Sequence, residues 1–378
     1  MIPRPLAEEA PGVAPRRSES PPRSRPLSRW LGAAFFLLAC TPGSSHGLRA
    51  TVGLEYDDNP FERRSEVRSG SESRSGWINR IFLSSSARIG QTPRYAIQVR
   101  HRWGLKRYWM AEQANGSQGD VVASQLELGG RAQVSERIAA SWGSEVKIKN
   151  VQRISSEESY LRGSLQLGLS GRLDNGFIAS LKYRRGADDA RDTTLGDLSV
   201  AAWGGDVAFR SGRKFTVRLA GIWRRLDYDR AALGEGDPEA ATGQSDTNRE
   251  LKVVVQLYRG GLVDASYALL DNDSNSTGFG YRAHRFQLLC ARHLGGGIDG
   301  QLFLTLQRRR YDEELPAILL AGVKEDGYHQ TLWSFKLSRQ INEFYGVSGQ
   351  YRRARNGSSR SEGAYEKRIY SLAVDVEL

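Results

Sequence analysis

From residue 48 onward this chain places apolar side chains at every second position, and that period decides most of what it can become. In LRGSLQLGLSGR, Leu161, Leu165, Leu167 and Leu169 interleave with Arg162, Ser164, Gln166 and Ser170. In FTVRLAG, Phe215, Val217 and Leu219 interleave with Thr216, Arg218 and Ala220. A helix would return its apolar residues three and four positions apart, whereas a strand with one covered face repeats every two. No convincing amphipathic helix follows residue 48. The stretch RIYSLAVDVEL keeps the period throughout: Tyr370, Leu372, Val374, Val376 and Leu378 share one face, and Ser371, Ala373, Asp375 and Glu377 the other. Such a strand needs something apolar against one side.

Strand-like runs occur at 48–56, 75–89, 94–109, 120–134, 136–150, 159–172, 175–186, 196–209, 213–228, 246–258, 260–270, 279–294, 297–311, 327–338, 342–355 and 365–378. Register is least certain in 196–209 and 279–294, where apolar residues occupy both parities. Every other connection is tight and turn-like, as in LDNG, RSGR, RGG and GGG. The intervening ones are longer and polar, as in DDNPFERRSEVRSGSES, DRAALGEGDPEAATGQS and DEELPAILLAGVKED. Short turns at one end, long loops at the other and an even number of alternating segments predict an all-β, antiparallel transmembrane barrel of about sixteen strands. Both termini are then expected on the short-turn, periplasmic side. Lipid would cover the Tyr370-to-Leu378 face, and the last strand would pair with the first. Strands of a soluble sandwich are shorter, about five or six residues, and its loops do not alternate in length in strict register. Trp77, Trp109, Trp223, Tyr228, Tyr311, Tyr328, Tyr351 and Tyr365 fall near the long-loop ends, where an interfacial girdle is expected.

The N-terminal region reads differently. Arg16, Arg17, Arg23, Arg25 and Arg29 precede the apolar run WLGAAFFLLAC, and the small residues TPGSSHG follow it. This is the three-part pattern of a secretory signal peptide. Residues 1–46 are read as that leader and 47–378 as the barrel, exported to the cell outer membrane. LLAC resembles a lipoprotein cleavage box that would leave Cys40 lipidated, but Leu38 fits the box poorly, so ordinary cleavage is expected. The remainder keeps one certain cysteine, Cys290, which has no internal partner to pair with.

With the apolar parity outward, the inward positions are strongly basic: Arg80, Arg88, Arg100, Arg102, Lys106, Arg131, Lys147, Lys149, Arg162, Lys182, Arg184, Arg218, Arg224, Lys252, Lys336 and Arg352. The inward acids Glu55, Glu127, Glu145, Asp264, Asp299 and Asp375 are fewer. A cationic wall focuses potential into a lumen and favours anions; the plainer expectation is that these bases are satisfied by the acids and fill the pore.

Catalysis finds little support. His101, His284, His293 and His329 occur without HExxH, paired cysteines or G-x-S-x-G, so an enzyme is not expected. Asp271, Asp273 and Asn275 have the alternate spacing of a calcium loop, yet Ser276 replaces the expected glycine and Arg282 the closing glutamate. Neither a metal nor another cofactor is expected, and nucleic acid is not expected as a partner.

GLEYDDNPF in the first strand and YALLDNDSNSTGFGYRAHRFQLL around the eleventh and twelfth resemble segments of a broad group of Gram-negative outer-membrane barrels. That group includes barrels associated with exopolysaccharide export and the barrel domain of surface lipoprotein assembly modifiers. The latter carry a helical-repeat domain ahead of the barrel, for which there is no room between the leader and Leu48. The terminal strand resembles the signal read by the bacterial outer-membrane assembly machinery, although Leu378 stands where an aromatic is usual. These resemblances imply outer-membrane lipid and that machinery as partners, with a periplasmic polysaccharide-export component as a further one. The expected function is a polar, basic-lined path across the outer membrane for an anionic or carbohydrate polymer, as in exopolysaccharide export; the alternatives are diffusion of small anions, or a closed barrel whose loops bind partners.

Overall fold

The computed structural model describes residues 46–58, 75–92, 94–110, 119–152, 159–173, 176–190, 197–232, 243–312, 329–357 and 365–377. Residues 1–45, which carry Cys40 and most of the segment expected to be a leader, lie outside them, as do Tyr328 and Leu378. Sixteen strands follow in order: β1 (His46–Asp57), β2 (Gly76–Gln91), β3 (Tyr95–Met110), β4 (Gly119–Gln133), β5 (Ile138–Gln152), β6 (Tyr160–Arg172), β7 (Phe177–Ala190), β8 (Leu198–Ser211), β9 (Phe215–Ala231), β10 (Gly243–Tyr258), β11 (Leu262–Ser274), β12 (Tyr281–Gly295), β13 (Ile298–Tyr311), β14 (His329–Gln340), β15 (Tyr345–Gly357) and β16 (Tyr365–Glu377). Each pairs antiparallel with its chain neighbours, and β16 pairs with β1 from Arg49↔Glu377 to Asp57↔Ile369, closing the barrel. An open edge in hydrocarbon would leave backbone N–H and C=O groups unbonded at several kcal/mol each, so closure is obligatory there.

Residues paired directly across two strands point to the same side, so assigning one strand assigns the whole ring. The outer side is apolar. On β6 Leu165, Leu167 and Leu169 are 65%, 60% and 51% exposed, and on β16 Leu372 is 69% exposed. Withdrawing such a side chain from water is worth about 1.5–3 kcal/mol. A continuous wall of them facing water would oppose folding, and the same wall facing lipid costs nothing.

Aromatic side chains bound this wall near the long-loop end. Trp77, Tyr56, Tyr370, Tyr351 and Trp333 form an outward chain across β2, β1, β16, β15 and β14, with successive ring centroids 5.2, 6.4, 4.9 and 5.0 Å apart. Tyr183 and Trp203 continue the belt on β7 and β8 at 4.3 Å, while Phe177 and Phe209 mark the other boundary at 5.0 Å. Three aromatics expected in the girdle face the lumen instead. Tyr228, Tyr311 and Tyr365 pair with Leu198, Tyr281 and Asn356 on the inward parity. They lie at the expected height along their strands but on the opposite face, because apolar alternation fades beyond the membrane band.

The start of β1 lies beside the end of β2 (His46↔Ala87), so both ends of the described barrel sit at the short-turn end. The tightest of these turns uses Gly295, Gly296 and Gly297 at φ of 97°, 59° and 75°, a conformation that only glycine adopts without strain.

An arginine placed at Leu167, in the middle of the outward row of β6, should destabilise the barrel by about 2–4 kcal/mol. Its lumen-facing neighbour Gln166→Arg should cost far less. Urea unfolding of both variants in lipid vesicles compares them, and equal losses would contradict a lipid-facing wall.

Candidate solute pathway through the lumen

The register places Arg80 and Arg88 on β2, Arg100 and Arg102 on β3, Arg131 on β4 and Lys147 on β5 on the inward side. Arg162 on β6, Lys182 on β7, Arg218 on β9, Lys252 on β10, Lys336 on β14 and Arg352 on β15 share that side. Their surroundings divide them into two groups.

The first group is paired. Arg80 Nη1 donates to Glu55 Oε2 at 2.7 Å, and Arg100 and Arg102 flank Glu127 at 3.3 and 3.4 Å. Arg162 Nε donates to Asp188 Oδ1 at 2.6 Å, while Arg218 lies 3.9 Å from Asp206. Lys147, Lys149 and Arg162 also gather over the Tyr160 ring at 5.4, 5.9 and 5.3 Å. The second group is uncompensated: Arg88, Arg131, Lys182, Lys252, Lys336 and Arg352 form no ion pair with a described residue. A cavity of about 650 Å³ in front of β1–β3 is lined by Arg80, Arg100, Arg102 and Lys336 among serines and Gln350.

Near the short-turn end the charges separate sideways. Inward bases Arg88, Arg131, Arg172 and Arg210 come from β2, β4, β6 and β8, and inward acids Asp264 and Asp299 from β11 and β13, while Asp375 on β16 is offset by Arg49 of β1 at 3.2 Å. Opposite arcs of a closed ring therefore carry opposite charge, which sets a field across the lumen.

The long-loop end of β9–β12 is packed instead of open, and sequence reasoning missed it. Glu250 is buried and accepts from Arg224 Nη2 at 3.1 Å and Arg285 Nη2 at 2.9 Å. Arg224 Nη1 donates to Asn248 Oδ1 at 2.9 Å. Buried Asp246 accepts from Ser274 Oγ at 2.6 Å and Gln244 Nε2 at 3.1 Å. Asn272 Nδ2 donates to the Phe279 carbonyl at 3.0 Å, and Arg230 lies 4.9 Å over the Phe279 ring, so residues 275–280 lean inward over β10. The signal was available: continuing the parity of Leu251, Val253 and Val255 backward places Glu250, Asn248, Asp246 and Gln244 inward.

LDNDSNSTG is split by this geometry. Asp271 and Asp273 are outward residues of β11, and Asn275 instead accepts from the Ser245 N–H at 2.8 Å. Among the described residues no cluster of metal-ligating side chains occurs. His284 sits 2.6 Å from the Tyr267 hydroxyl on the outer face, and His293 3.0 Å from Asp299.

A closed sixteen-strand antiparallel barrel with an apolar exterior and a charged interior has the architecture of a transmembrane outer-membrane β-barrel. No protein-family model matches the chain, and no curated protein matches it. Among solved structures it is similar to OccAB3 of Acinetobacter baumannii, with 8% identity, a TM-score of 0.48 and coverage of 89% of this chain and 100% of that one. It is also similar to an anion-selective porin from Comamonas acidovorans, with 11% identity, a TM-score of 0.47 and coverage of 89% and 100%. OpdQ of Pseudomonas aeruginosa gives 11% identity, a TM-score of 0.47 and coverage of 89% and 99%. None of these likenesses bears on solute; the architecture stands on the hydrogen-bond register itself.

Burial decides what each ion pair is worth. The Glu250 side chain is 7% exposed, so Glu250→Ala strands Arg224 and Arg285 and should cost about 3–5 kcal/mol. The Arg100–Glu127 side chains are 39% and 29% exposed, and Arg100→Ala should cost no more than about 1 kcal/mol. Urea titration of the two variants checks the ordering.

Proposed function

We propose that this barrel is a non-enzymatic diffusion channel for small anionic solutes across the outer membrane, with its short turns in the periplasm. The observation that carries this reading is the set of inward cations without a carboxylate partner among the described residues: Arg88, Arg131, Lys182, Lys252, Lys336 and Arg352. Paired bases cancel within a few ångströms and select nothing, whereas an uncompensated cation raises the local concentration of anions along the path.

Passage of a carbohydrate polymer, suggested by the resemblance to exopolysaccharide-export barrels, has less support. No comparison favours it. Several inward aromatics that could stack on sugars are engaged with cations: Tyr160 under Lys147, Lys149 and Arg162, Tyr228 under Arg230, and Tyr281 and Tyr311 beside Arg309, although Phe82 lines the cavity in front of β1–β3. The outward row Tyr370, Leu372, Val374 and Val376 would serve in the periplasm as the strand presented to the outer-membrane assembly machinery.

Single-channel recording under a salt gradient tests the channel. Two charges about 8 Å apart in water interact by about 0.5 kcal/mol, or about twofold in occupancy. Replacing Arg131, Lys182 and Lys336 by glutamine should therefore lower the anion preference by about tenfold at low salt while heat-resistant folding persists. The preference should weaken between 0.1 M and 1 M salt, as the screening length contracts from about 10 to about 3 Å. A folded barrel that stays electrically silent, or whose selectivity ignores these three changes, contradicts the proposal.

A further inference from the structure

We propose that the outer wall of β10–β13, at the long-loop end, is a binding site for the phosphate-bearing headgroup of a membrane lipid. Cross-strand register sets Arg249, Asp271, Arg282 and Arg310 in one outward row (Arg249↔Asp271, Asp271↔Arg282, Arg282↔Arg310). One step nearer the membrane band, Arg308 stands between His284 and His329. Asp271 accepts from Arg282 Nε at 3.3 Å and lies 3.6 Å from Arg249 Nη1. Arg308 and Arg310 form no ion pair with a described residue. The patch is strongly cationic, and it is accessible, with the Arg249 and Arg282 side chains 60% and 77% exposed.

Two features separate this patch from a solvated rim. Arg282 and Arg310 are direct cross-strand partners, and like charges so placed destabilise a sheet unless an anion lies between them. Strands about 4.8 Å apart bring two guanidinium forks onto one phosphate, the planar bidentate geometry they favour. Directly beneath, the outward residues are apolar: Leu269, Phe286, Leu288, Leu304 and Leu306. Arg308 is two residues beyond Leu306, a rise of about 7 Å. A cation cluster riding on a hydrocarbon-facing wall matches an amphiphile with a phosphate above and acyl chains below, and free phosphate would use only the upper half. At the opposite end of the same wall the outward residues are Leu257, Val263, Leu294 and Ile298 with Arg292 and Arg339, and those two arginines are not cross-strand partners. The site therefore belongs to one leaflet, the one at the long loops, and it requires the transmembrane reading but not channel activity.

Native mass spectrometry of the refolded full barrel in detergent tests the site without any conductance readout. The probes are a bis-phosphorylated glycolipid, its dephosphorylated counterpart with the same acyl chains, and inorganic phosphate. The phosphorylated lipid should stay bound to the parent barrel, and the R282Q/R310Q variant, verified by heat-resistant migration, should retain at least tenfold less. Should that variant not fold, Arg308→Gln, which removes an exposed and unpaired side chain, is read in the same way. Equal retention of the dephosphorylated lipid would assign binding to the acyl wall alone and overturn the proposal. Retention unchanged by the substitutions, or lost to millimolar inorganic phosphate, would overturn it as well.

Discussion

The hydrogen bonds between β1 and β16 are the constraint on which everything else rests. Sixteen antiparallel strands in lipid have no water to satisfy an exposed edge, so the ladder from Arg49↔Glu377 to Asp57↔Ile369 has to form for any of the others to be tolerable. Closure also fixes parity. Once the ring joins, shifting one strand by a single residue would turn its Leu row inward and its Arg row into hydrocarbon. Register here is held by the cost of that exchange, with little help from any single side-chain contact.

Parity then gives one residue type three uses according to depth. Arg224 and Arg285, inward and buried at the long-loop end, lock onto Glu250 and brace the wall. Arg131 and Arg352, inward on β4 and β15, stand without an ion-pair partner among the described residues and contribute field. Arg282 and Arg310, outward beyond the apolar band, face the membrane boundary. Replacing any of these by lysine would keep the charge and lose the planar fork, so the substitution is conservative only for the second use.

What the sequence made legible follows the same geography. Within the membrane band each strand is apolar on one side and polar on the other, and the alternation of β6 or β16 could be read residue by residue. Strand number, order and the inward position of Arg100 or Lys252 follow from that contrast. Beyond the band both faces are polar, and the contrast disappears. The start of β10, Gly243–Ser245, therefore reads as loop, the girdle pattern alone puts Tyr228 and Tyr311 on the wrong side, and nothing in it marks the inward Asp246 and Glu250 as buried. β8 was ambiguous for the opposite reason: Leu198, Val200, Ala202 and Ala208 make its inward face apolar too. Pairing partners resolve both cases, and a single sequence does not display them.

The uncompensated cations also speak to the state of the lumen. Taking an isolated charge out of water into a dry interior costs several kcal/mol even after relaxation, and no described carboxylate offsets that cost for Arg88, Arg131, Lys182, Lys252, Lys336 or Arg352. A barrel filled with side chains could not keep them. Where the interior is packed, at the long-loop end of β9–β12, Glu250 and Asp246 have found their donors. Where bases stand alone, water has to reach them. The division between paired and unpaired charge thus separates the packed long-loop end of β9–β12 from the parts of the wall that water reaches, where Arg88, Arg131, Lys182, Lys252, Lys336 and Arg352 stand without an ion-pair partner among the described residues.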